Sequence, residues 1–191
     1  MMEDRVDRRV IRTKQQIRQA LIELLAEKNE SAISVRELAQ KANINRGTFY
    51  IHYNDIHDLV EQLVNEAVEK LLSVCRRHPP AQTPRESYPF LTDLFQTLRD
   101  DSQLFTILLG SSGSHVYAER LCVAIQENFL NDLLSVFYSA DAKQRQVASD
   151  FIVAGCLHEA LMWLRSGTKE SPDEMAYLTG RIIMHGIDAL Q

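Results

Sequence analysis

The chain has 191 residues, 45% of them hydrophobic, enough to bury a sizeable core in one or two domains. Its net charge of −5 argues against a nucleic-acid binder until the charges are located: residues 1–53 hold 10 Lys and Arg against 7 Asp and Glu, and residues 54–191 hold 11 against 19. Three widely spaced cysteines without a C-x-x-C speak against a disulfide framework or zinc ribbon, and a charged start with no apolar run near 18 residues leads us to expect a cytoplasmic protein without a membrane span.

The hydrophobic pattern is helical throughout, with no convincing period-two alternation, so an all-α fold is expected. A basic arm of Arg5, Arg8, Arg9, Arg12 and Lys14, diluted by Asp4 and Asp7, leads into a first helix over residues 8–28. Ile17, Leu21, Leu24 and Leu25 form its inward face. Ser34 and Glu37 form an S-x-x-E box that starts a short helix burying Val35, Leu38 and Ala39. Asn43 tolerates the left-handed conformation of a tight turn, and Asn45 is placed to cap the next helix. There Ile44, Phe49 and Tyr53 point inward, which leaves Arg46, Gly47, Tyr50 and Ile51 outside. Two short helices joined so tightly must cross steeply, the layout of a helix-turn-helix.

Asp55 caps a fourth helix reaching about residue 75, with apolar positions from Ile56 to Leu72 too numerous for packing on one side. Pro79, Pro80, Pro84 and Pro89 mark a connector. Helices are then predicted over 88–100, 102–109, 115–138, 142–166 and 172–190, the last opened by Ser171 and Pro172. The domain boundaries that follow are 1–53 for the helix-turn-helix, 54–78 for a connecting helix and 79–191 for a regulatory and dimerisation bundle.

Enzyme signals fail on inspection. His158-Glu159 begins an H-E-x-x-H motif, but residue 162 is Met, and the Gly110 to Ser114 run lacks both the final glycine and the preceding strand of a nucleophile elbow. No metal site or cofactor is expected. Phe105, Tyr117, Phe129, His158, Met162 and Trp163 line an effector pocket or make up ordinary core; His115, Cys122, His158 and His185 are polar groups able to orient a ligand there or simply satisfied in the core.

Several of these residues also carry a family likeness. Ser34, Leu38-Ala39, Ile44, Gly47-Thr48-Phe49-Tyr50 and His52-Tyr53, with Thr13-Lys14, Ile17, Ala20-Leu21 and Leu24-Leu25 upstream, resemble the TetR family of bacterial transcription regulators. Asn29 and Asn43 stand where the family has glycines, and Ile56 stands where many members carry a phosphate-contacting lysine. The Trp163 to Ala176 segment is similar to the subgroup that includes the regulator of dihydroxyacetone kinase genes.

The resemblance implies that Lys14, Ser34, Val35, Arg36, Asn45, Arg46, Gly47, Thr48, Tyr50, Ile51 and His52 face double-stranded DNA. The arginines are suited to guanine edges or are solvated charges, the hydroxyls to phosphate, and Ile51 to a thymine methyl. It also implies a homodimer through the last two long helices, on the stripes of Phe151, Ala154, Gly155, Leu178 and Ile182, which would otherwise be intramolecular core. The implied activity is that of an effector-responsive repressor on a palindromic operator, in which a small molecule shifts the population toward a state whose two reading heads miss successive major grooves. The alternatives are an activator that recruits a protein coactivator and a helical interaction protein without DNA binding.

Overall fold

The computed structural model describes residues 2–79, 88–110, 115–137 and 141–185, with side chains from Arg8 onward except at 115, 136 and 137. The side chains of Arg5 and His115, and Pro80, Pro84, the loop after Gly110, Tyr138 and the residues beyond His185, therefore lie outside what is described. Among those described, every regular element is helical, and they divide into two compact units, one up to Glu66 and one from Ala67.

The first unit begins with α1 (Met2–Glu27), a 3-10 turn (Glu30–Ala32), α2 (Val35–Lys41), α3 (Arg46–His52) and the first half of α4 (Ile56–Arg77). Ile17, Leu21, Leu38, Phe49 and Leu59 are its fully buried centre. Ser34 caps α2 by accepting from the Glu37 N–H at 3.2 Å. Glu37 gives its carboxylate chiefly to Lys28 at 2.6 Å, which with the Ser34 backbone holds its pKa below the usual carboxylate range.

The turn after α2 is a full Schellman motif. Asn43 has φ 53°, and the N–H groups of Asn43 and Ile44 bond the carbonyls of Gln40 and Ala39. Two sequence expectations need correction here. Asn29 has φ −67° because it precedes the 3-10 turn as its N-cap, so no left-handed residue is required at that position. Asn45 occupies the N-cap of α3, but its side chain makes no capping bond; the Thr48 N–H reaches its backbone carbonyl instead. Asp55 does cap α4 through the Asp58 N–H at 2.8 Å, and the Asp58 carboxylate in turn accepts from the Asn54 N–H.

The second unit continues from α4 through α5 (Pro89–Asp100), α6 (Ser102–Gly110), α7 (His115–Ile125), α8 (Asn131–Phe137), α9 (Ala142–Arg165) and α10 (Pro172–His185). The single helix expected over 115–138 is interrupted by a π-helical turn at Gln126–Leu130, which is absent from any simple periodicity and turns Phe129 and Leu130 into the interior. Reciprocal capping boxes start α9 (Asp141 with Gln144) and α10 (Ser171 with Glu174). Gly167 at φ 85° ends α9 in a second Schellman motif.

Helix α5 packs most extensively against α10, where Gly180 leaves room for the Tyr88 ring: a Cβ there would lie 2.3 Å from a ring carbon. The expectation of no membrane-length apolar run also needs correction. Helix α9 is long and apolar enough to cross a membrane by length and composition alone, because it carries apolar residues on two faces. One face lines the interior; the other, with Val147 and Phe151, is exposed. Its carboxylates are engaged within the unit, Asp150 by Gln126 and Glu159 by Thr179.

Candidate nucleic-acid interface and interior cavity

The cations of the first unit fall into two sets. Lys28 binds Glu37, Lys41 clamps Glu23 and Glu27 at 3.3 Å each, and Arg18 faces Glu66. Those pairs fasten the head together; the bond from Lys28 lowers the Glu37 carboxyl pKa, and Glu23 is lowered first by the Gln19 amide and then by Lys41. Lys14, Arg36 and Arg46, by contrast, are exposed and make no ion pair or hydrogen bond among the described residues. The unit therefore keeps open the cations that the sequence assigns to DNA.

Around Arg46 the short helix α3 presents an outward face. Ile51 is 77% exposed and Tyr50 53%, although the edge of the Tyr50 ring rests on Phe49 at 5.4 Å. Gly47 is exposed with nothing within 4 Å of where a Cβ would stand, so backbone can approach a surface closely there. Asn45 is exposed beside it, while Thr48 and His52 are half-buried at the flanks. Ser34, Val35 and Arg36 form the first turn of α2, with Arg36 outward and Val35 half-buried. Phe49 and Tyr53, 5.6 Å apart, anchor the opposite side of α3 in the core. A short helix held from behind and bearing an open arginine, a hydroxyl and an apolar side chain in front can read a major groove.

The second unit holds a partly open cavity of about 640 Å3. Of the six residues expected at an effector pocket, Phe105 and Phe129 line it. Tyr117, His158, Met162 and Trp163 do not: His158 and Met162 lie on the exposed face of α9, and Trp163 packs edge-on to Phe95 while its Nε1–H donates to the Glu170 carbonyl at 3.1 Å. Sequence reading missed most of the true wall, including Leu94, Ile125, Leu133, Ile152 and Leu157. The signal available was the second apolar stripe of α9, which repeats every three or four residues from Arg145 to Ala160.

Cys122, named among the polar groups, is on the wall together with Cys156. Burial pushes the Cys156 thiol up to about 12 and raises Cys122 as well, so both stay neutral and behave as small apolar groups. The faces of Phe90 and Phe129 are stacked on each other at 3.6 Å. The expected dimer residues lie on the other side of the same helices: Phe151 is 81% exposed, and Ala154, Gly155, Leu178 and Ile182 are exposed too.

Residues 17–63 match the family described as bacterial regulatory proteins, tetR family, and residues 85–185, more than half of the chain, match a transcriptional regulator C-terminal region. The HTH-type transcriptional regulator YxbF of Bacillus subtilis (strain 168) is 34% identical over 71 residues, 37% of this chain and 19% of that protein's length. The chain thus spans about a fifth of that curated relative.

Among solved structures, the fatty acid degradation regulator FadR from Bacillus halodurans superposes with a TM-score of 0.70 at 19% identity, covering 92% of this chain and 96% of that one. FadR from Bacillus subtilis, solved in complex with stearoyl-CoA, gives 0.64 at 18% identity, covering 91% and 98%. At such identities the likeness shows a shared fold, and the two matched regions supply the rest: a DNA-binding helix-turn-helix followed by a regulator's C-terminal region, rather than an enzyme. The chain belongs to the TetR family of bacterial transcription regulators.

Proposed function

We propose that this regulator is a cytoplasmic, effector-responsive repressor that binds a palindromic operator as a homodimer. The observation that carries the reading is the contrast between Arg36 and Arg46, exposed and without partners among the described residues, and Lys28 and Lys41, consumed by ion pairs within the same unit. Arg46 reaches a guanine edge in each half-site, Tyr50, Thr48 and Ser34 bind phosphate oxygens, and Ile51 meets a thymine methyl.

Dimerisation is supported by the outer faces of α9 and α10, where Val147, Phe151, Leu178 and Ile182 leave apolar surface in water. A second copy of the same pair of helices covers it by two-fold symmetry. The interior cavity is the effector site. FadR of Bacillus subtilis, similar in fold, was solved with stearoyl-CoA, which supports a ligand-holding role for this unit. Effector and operator then weaken each other's binding by the same coupling free energy.

Selecting duplexes from a random pool with the purified chain tests this. Recovered sequences should be inverted repeats, and if a dimer neutralises about eight phosphates, log K should fall against log[salt] with a slope of about −7. Equal affinity for selected and random DNA at moderate salt would end the proposal.

A further inference from the structure

We propose that the ligand of the interior cavity is a straight acyl chain with an anionic head, the head lying at Arg145 and the chain running along α9 toward Ala160; this rests on the reading of the cavity as the effector site. Three observations converge on that chemistry. The first is shape. The α9 residues on the wall run from Gln144 to Ala160, about 24 Å at 1.5 Å per residue. A volume of about 640 Å3 spread over that length leaves a mean cross-section of about 27 Å2, room for one extended aliphatic chain.

The second is the distribution of polarity. Among the described residues of the wall Arg145 is the only charged side chain and none is a carboxylate; Gln144 is its neighbour in sequence. Strong polar groups therefore stand together at one end of the α9 stripe, and beyond them that helix offers Ala148, Ile152, Val153 and Leu157 with the neutral thiol of Cys156. Elsewhere the wall offers the Tyr88 side chain and otherwise mostly apolar groups, so a ligand polar along its whole length would bury unpaired groups against it.

The third is how the aromatic rings are used. Phe90 and Phe129 each give one face to the other, and Tyr88 and Phe105 stand in a wall that is otherwise mostly aliphatic, against which a flexible chain needs only aliphatic contact. The anionic head has two chemical sources, a free carboxylate and the phosphates of an acyl thioester, and the experiment separates them.

Isothermal titration of the full-length protein is carried out with octanoate, dodecanoate and hexadecanoate, with dodecanol, and with dodecanoyl-coenzyme A. Affinity should rise about fourfold per added methylene until the cavity is full. Dodecanoate, its coenzyme A thioester or both should bind about tenfold or more tighter than dodecanol, as a charge-assisted contact to Arg145 requires. Whichever binds tighter identifies the source of the anion.

Arg145→Gln should abolish the preference for an anionic head and keep the chain-length dependence, while Arg145→Lys retains the preference. Ala160→Phe, at the far end, should cut hexadecanoate binding and spare octanoate. A flat response to chain length, dodecanol binding as well as both anionic ligands, or an unchanged preference in Arg145→Gln would each overturn the assignment. If the acyl ligands bind by these rules yet leave a selected duplex bound, the ligand assignment stands and the effector coupling is what fails.

Discussion

Arg46 and Arg145 each sit in the opening turns of a helix, yet the two units use them in opposite ways. Arg46 is exposed on α3 with no partner among the described residues, on a surface of only seven residues whose orientation is set by Phe49 behind it. Arg145 is half-buried at one end of a wall assembled from α4 to α10. A reading head needs its groups in water, where they meet a partner as large as a duplex. A small-molecule site needs them at the edge of a dry volume. Local chain geometry creates the first kind of site, and packing among distant helices creates the second.

The largest expected effect lies outside both sites and tests whether the two heads must be joined. An added Cβ at Gly155 meets nothing within 4 Å, so Gly155→Glu should fold normally. If α9 is the dimer face, the charge separates the protomers, and operator affinity drops by about 100-fold or more as the two half-sites lose their linkage. Sedimentation velocity reads the dimer and anisotropy the affinity. A variant that remains dimeric would move the interface to other helices.

Next in size is the independence of the units. Phe49 is fully buried at the back of α3, and Phe49→Ala should cost about 3–5 kcal/mol, more than a small head of this kind can readily absorb. Thermal unfolding should then separate into an early transition for the head and an unshifted later one for the body. One cooperative transition displaced as a whole would show that the units stabilise each other and blur the contrast drawn above.

The head was legible in the sequence for the same reason that it is a local device. Ser34 with Glu37, Asn43, Asp55 and the outward set around Arg46 lie within a few residues of their partners, so spacing alone places them. The errors inside this region are local too. Asn29 stands where the family has a glycine although its backbone is extended, and Asn45 keeps the cap position while leaving the bond to its backbone carbonyl.

The body was legible as helices and not as a site. Met162 and Trp163 look equivalent in a helical repeat, but one is 49% exposed and the other buried against Phe95, a distinction set by the packing of α5 rather than by α9 itself. The π turn that carries Phe129 to the cavity adds a residue to one turn, and a fixed period of 3.6 cannot anticipate it.

A smaller effect separates base reading from phosphate holding within the head. Arg46→Ala should lose about 1–3 kcal/mol on the selected operator and little on random duplex, whereas Tyr50→Phe should weaken both by a similar, smaller amount. Competition titrations against mutated half-sites give the answer position by position. Equal losses on both duplexes for Arg46→Ala would reassign that residue to the backbone.

The smallest expected effect concerns pH, where the units again differ. Hydrogen bonding and charge from Glu30, 3.0 Å from the His57 ring, raise the His57 pKa above its ordinary 6.5 in the folded head. A raised folded pKa means that the stabilisation is complete below the unfolded value and disappears as pH climbs through the folded one. In the body the bond from His78 at 2.9 Å, helped by Arg77, depresses the Asp93 carboxyl below 3.8, so that contribution is present above the unfolded value and is lost as pH falls through the folded one. The head should therefore gain slightly between about pH 8 and pH 6, a window in which Asp93 remains ionised. Because the His57 side chain is largely exposed, the gain is reduced by solvent and salt. Melting curves of wild type and His57→Gln should diverge at about pH 5.5 and coincide at about pH 9; a constant difference at both would mean that His57 acts through packing instead of charge.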